Sequence, residues 1–176
     1  MGASQWSWQV PYEPDIAAAL ERARQETYDQ GQFYRQPPNE QARSMTEEEF
    51  VAADIAYMRA SMAEAFGDDV GEIDDAMARA SWHAAHVDVR DPDSLLESQP
   101  FSRTHSVIDM SPSSISPVPD DELQALFATL RPTPDAVEAA IADRSLTGYV
   151  RDHGRYVVTY TDGSPSTIVF VGHSGD

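Results

Sequence analysis

The stretch that most constrains the fold lies near the C-terminal end: RYVVTYTDGSPSTIVFVG, residues 155–172. β-Branched and aromatic residues fill both halves, and Asp162, Gly163, Ser164 and Pro165 part them. This pattern predicts a hairpin whose loop is longer than the minimal two residues. Gly172 and Gly175 read as the end of its second strand. A hairpin needs further strands and a covering layer before it is stable. WSWQV, residues 6–10, supplies one strand, with Trp6, Trp8 and Val10 alternating and Pro11 closing it. RTHSVIDM, residues 103–110, reads as another, with Ile108 and Met110 inward and His105 and Asp109 outward. TGYVRDHG, residues 147–154, reads as a further strand.

Helical periodicity fills the space between these strands. Pro14 stands at the opening of a helix with Ile16, Leu20, Ala23 and Thr27 along one stripe, Arg22 and Glu26 paired on its wet side, and Gly31 at its end. Thr46 and Glu49 form a capping-box signature ahead of Val51, Ile55, Met58, Met62 and Phe66. The opposite side of that helix is rich in alanine, which predicts packing on two sides with the methionines as core filler. A third helix runs from about Gly71 to Ala85 with Ile73, Met77, Ala80 and Ala84 inward. DPDSLLES (91–98) reads as a short helical turn, and SPSSISPVP (111–119) as an exposed connector. The next helix turns Leu123, Leu126, Phe127 and Leu130 inward, and a last one starts at Thr133 and Pro134. The fold class expected is α+β. A small antiparallel sheet (N-terminal strand, THSVIDM strand and C-terminal hairpin) packs against about five α-helices that cover one face. No internal repeat or boundary is visible, so residues 1–176 read as a single acidic globular domain.

Composition then removes whole classes of function. Thirty acids face twelve basic residues, for a formal charge of −18. Such a surface repels nucleic acid and anionic membranes and attracts basic proteins. There is no cysteine, hence no thiolate ligand and no thiol nucleophile. Every basic residue is arginine, so the P-loop lysine and the Schiff-base lysine are missing as well. A lysine-free, alanine- and aspartate-rich chain suits a high-GC bacterial genome. MGASQWSWQV carries neither a charged n-region nor an apolar run, and no stretch approaches a membrane span, so the expected location is the cytoplasm.

Three groups of residues invite a chemical reading. His83 and His86, three apart on the third helix, with Asp88 beyond its end, form an alternative metal-ligand set. Arg79, one turn before His83, opposes a cation there, and the helix C-terminal dipole explains the histidines without a metal. His105 and Asp109 are an alternative catalytic pair. Four residues apart on a strand they stand roughly 13 Å from one another, too far to bond directly. The C-terminal Ser174, His173 and Asp176 and the turn residue His153 carry no triad or G-x-S-x-G signature. No cofactor is implied.

The strongest signal is the charge itself. Between Glu47 and Asp75 there are ten acids and one base, Arg59. Asp68, Asp69, Glu72, Asp74 and Asp75 concentrate in GDDVGEIDD without the ligand ladder of an EF-hand, and are the candidate partner-binding residues. Three readings follow. The first is a non-enzymatic acidic interaction protein that binds and blocks a basic partner, comparable by charge and size alone with immunity proteins and antitoxins. The second is a small hydrolase or metal-dependent enzyme using the histidines and aspartates above. The third is an oligomeric module meeting another subunit through the alanine-rich helix side.

Overall fold

The computed structural model describes residues 4–66, 73–147 and 153–174. In chain order the elements are β1 (Ser4–Pro11), α1 (Ile16–Asp29), α2 (Glu40–Ser44), α3 (Glu47–Phe66), α4 (Ala76–His86), α5 (Pro92–Glu97), a 3₁₀ turn (Val107–Asp109), β2 (Ile115–Pro117), α6 (Asp120–Phe127), α7 (Pro134–Ala142), β3 (Gly154–Thr161) and β4 (Ser164–Ser174). The class is α+β, with seven α-helices among the described residues rather than about five. The chain divides into two compact units, one made of residues 1–34 and 103–176, the other of residues 35–102.

The first unit is built on a four-stranded sheet in the order β1-β4-β3-β2. β1 and β3 flank β4 antiparallel, whereas β2 runs parallel to β3, so the sheet is mixed and not purely antiparallel. β4 contains four consecutive apolar residues, and both of its faces are buried. Ile168 and Phe170 join Trp6, Val10, Leu20, Ala23, Val107 and Met110 on the α1 side. Val169 and Val171 join Val118, Val137, Ala140, Leu146 and Val157 on the α7 side, with Leu123, Leu126 and Phe127 of α6 packed against them. The expectation of helices on one face alone is thereby corrected: an unbroken apolar run marks a strand covered twice.

Two segments differ from their sequence-based assignments for local reasons. THSVIDM is a turn and not a strand. Thr104 and Ser106 share a 2.8 Å hydroxyl contact, the Ser106 hydroxyl accepts the Ile108 N–H, and Asp109 accepts from the Thr104 N–H (2.8 Å) and hydroxyl (2.9 Å). Side-chain oxygens have captured the backbone, and His105 adopts a left-handed φ of 54°. The Ser/Pro segment read as an exposed connector supplies β2 instead. In the hairpin, Thr161 pairs with Ser164, leaving only Asp162 and Gly163 in the loop. Both have positive φ, 51° and 78°, as a type I′ turn requires. The extra residue sits in the strand as an irregularity after Thr159. Residues 148–152, which form most of TGYVRDHG, lie outside the described residues.

α1 follows its predicted stripe, with Leu20, Ala23 and Thr27 buried. Asp15 caps it through Ala17 N and Ala18 N, and Arg22 pairs with Glu13 at 2.7 Å rather than with Glu26. Its neighbour Arg24 turns inward, donating to the Ile108 carbonyl at 3.2 Å while its guanidinium holds Glu21. α6 ends early because Ala128 takes a left-handed φ, which leaves Leu130 exposed.

The second unit has a smaller core, in which Ala42, Phe50 and Ala85 are buried with Met45 and Trp82 packed against them. The capping box at Thr46 and Glu49 is formed. α4 turns a different face inward from the one its apolar spacing suggested. Ala78 and Ala85 are buried, while Met77 is 63% exposed. Trp82 decides the rotation, since its indole N–H donates to the Met45 carbonyl at 3.1 Å. α3 is not packed on two sides either. Phe50 and Val51 are buried near its start, but Ala56, Tyr57, Arg59, Ala60, Ser61 and Met62 face solvent. No helix among the described residues is long and apolar enough to cross a membrane.

Candidate functional site

Unit 35–102 carries the acidic excess. It holds fifteen acids and five arginines, a net −10, whereas the longer remainder of the chain carries −8. Of the five acids predicted to bind a partner, Asp68, Asp69 and Glu72 lie outside the described residues. Asp74 accepts the N–H of Ala76 at 2.9 Å, at the start of α4. Asp75 accepts from Arg79, which also reaches Glu47 at 2.7 Å. The bonds to Asp75 and Glu47 raise the Arg79 pKa. Part of the expected acidic surface is thus neutralised locally. Glu48 and Glu64 remain exposed.

A cleft of about 300 Å³ opens between α2 and α3, lined by Gln41, Phe50, Ala53, Asp54 and Tyr57. Residues 50, 53, 54 and 57 are spaced three and four apart, so they form one patch on the helix surface. Phe50 is 4% exposed and forms the floor, while Tyr57 is 71% exposed and forms a wall. Asp54 is half-buried beside them. This constellation was not read from the sequence, although the F-x-x-A-D-x-x-Y spacing contains it.

The histidine candidates are dispersed. His86 Nδ1 donates to the Trp82 carbonyl at 2.8 Å, and its ring lies tilted by 32° against the Trp82 indole at 4.1 Å. His83 meets the same indole edge-on at 5.3 Å, with Nε2 3.8 Å from Glu47. Asp88 is exposed beyond the helix. Among the described residues no group of three His, Asp or Glu side chains is placed to hold a metal ion. His105 meets Tyr34 edge-on at 5.7 Å, while Asp109 is engaged with Thr104. Asp109 thus ties the turn together through Thr104. His173 lies in β4, His153 is exposed, and Asp176 falls outside the described residues.

Two further clefts lie in the sheet unit. One, of about 380 Å³, is lined by Ser7, Trp8, Gln9, Gln32, Glu138, Ile141 and Val169. The other, of about 320 Å³, contains His153, Glu122 and Arg155. Both Arg155 nitrogens bond the two Glu122 oxygens, and the guanidinium also donates to the Thr147 carbonyl. That pair joins α6 to β3. Compared with protein-family models, curated proteins and solved structures, the chain matches none.

Proposed function

We propose that the chain is a non-enzymatic, acidic interaction protein of the cytoplasm that binds and blocks a basic protein partner. One observation supports this above the others: residues 35–102 combine a net charge of −10 with a long helix, α3, much of whose surface is bare. Acids such as Glu48 and Glu64 raise the encounter rate with a cationic surface, and exposed aromatic and aliphatic groups hold the complex once formed. The effect on the partner is occlusion, as for an immunity protein or antitoxin.

The test is chemical cross-linking in the native host, identification of the bound protein, and stopped-flow association with that purified partner. The expected result is a basic partner whose association rate falls about tenfold or more as salt rises from low to physiological strength. A neutral or acidic partner, or a rate indifferent to salt, overturns the proposal.

A further inference from the structure

We infer that the cleft formed by Gln41, Phe50, Ala53, Asp54 and Tyr57 is a socket for one arginine side chain of the basic partner. The inference rests on the interaction reading above and names the group that reading leaves open.

The lining carries one carboxylate, one carboxamide, two aromatic rings and one methyl group. That set matches an arginine part by part. The aliphatic stem covers Phe50 and Ala53, displacing water from apolar surface. The guanidinium plane stacks on the Tyr57 ring and turns its N–H fork toward the Asp54 carboxylate, and the Gln41 carbonyl accepts a remaining donor. The volume, about 300 Å³, is at the small end for ligand pockets and suits a side chain.

Charge complementarity selects the occupant. Asp54 takes part in no ion pair or hydrogen bond with a described residue. Arg59, the nearest cation on the same helix, is five residues on and about 140° round the axis. Arg43 of α2 is occupied by the Ala85 carbonyl and Glu40. The carboxylate is therefore held half-buried beside two aromatic rings with its acceptor capacity unspent, in a unit of net negative charge. Lysine fits less well, since its ammonium is strongly hydrated and lacks a plane to stack.

The test uses the full chain, labelled with ¹⁵N, and three capped peptides, Ala-Ala-X-Ala-Ala with X as arginine, lysine or norleucine. A hexa-arginine peptide at low and high salt provides the separate test of the charge reading. Expected are saturable shifts at the amides of Phe50, Ala53, Asp54 and Tyr57 with the arginine peptide, weaker ones with lysine and none with norleucine. Asp54→Asn and Tyr57→Ala each weaken the arginine peptide about tenfold, with the circular dichroism spectrum and melting temperature unchanged. Shifts elsewhere, equal binding of lysine, or an affinity unaltered in Asp54→Asn overturn the socket. If hexa-arginine still binds and is released by salt in that case, the interaction reading survives. If hexa-arginine fails to bind at low salt, that reading falls as well.

Discussion

The indole of Trp6 occupies the space in which a side chain at Gly172 would stand. The two residues are cross-strand partners on β1 and β4, and a Cβ at position 172 would come within 2.1 Å of the Trp6 Cζ2 atom. Gly154 faces Gly172 across β3 and β4, and a Cβ there would meet the same ring at 3.3 Å. Trp6 is 8% exposed in consequence. Gly172 is thus an interior position of the strand and not its terminator.

Gly172→Ala is expected to destabilise the sheet unit by about 3 kcal/mol or more, because the overlap forces the indole or the strand to move. Thermal or urea denaturation measures it. Trp6→Leu in the same chain makes room and recovers part of the loss, so the two changes are not additive.

Glu122→Gln leaves the Arg155 guanidinium buried against a neutral amide. A loss of about 2–3 kcal/mol is expected from breaking one side of a largely buried pair. The double replacement Glu122→Leu with Arg155→Met costs less than Glu122→Gln alone, since no orphan charge remains. Equal losses in urea melts of the two proteins would refute this.

The I′ turn makes a sharper distinction. Gly163 sits at a φ of 78°, where an L side chain is strained. Gly163→Ala is expected to cost about 1–2 kcal/mol and Gly163→Asn clearly less, because asparagine tolerates the left-handed region. Open space surrounds the position, so strain and not crowding is what the comparison of melting temperatures reads.

Acid acts on the caps. Bonds to Thr46 lower the Glu49 pKa, and bonds from Ser94 lower that of Asp91. A carboxyl whose folded pKa is depressed contributes stability above its unfolded value and loses it as pH falls through the folded one. The N-terminal turns of α3 and α5 should therefore loosen below the ordinary carboxylate range and be indifferent between pH 6 and about 8. Amide exchange at Glu49 and Ser94 against pH measures it, and Glu49→Gln with Asp91→Asn, which remove the two titrating carboxyls, flatten that dependence.

The sequence revealed what depends on neighbours along the chain. The capping box at Thr46 and Glu49, the α1 stripe at Leu20, Ala23 and Thr27, the α7 cap at Thr133 and the existence of the hairpin are all local patterns. β2 was illegible because three residues, Ile115 to Pro117, become a strand only by meeting β3 some forty positions later. The rotation of α4 was misread for a similar reason: one indole N–H finding the Met45 carbonyl outweighed a methionine at a suitable spacing. The bareness of α3 went unseen because composition counts apolar residues without saying what covers them. At the candidate site, the acid excess was legible, the cleft around Asp54 was not, and Asp74 and Asp75 proved to be occupied by Ala76 and Arg79.

The β1–β4 pairing joins Ser4 to Ser174 and Pro11 to Thr167. During translation the first strand of the sheet must therefore wait for the last, with the whole helical unit synthesised in the interval. Trp6 and Trp8 stay uncovered on a partnerless edge for that time, which is when a ribosome-bound chain would be most prone to sticking and to chaperone capture.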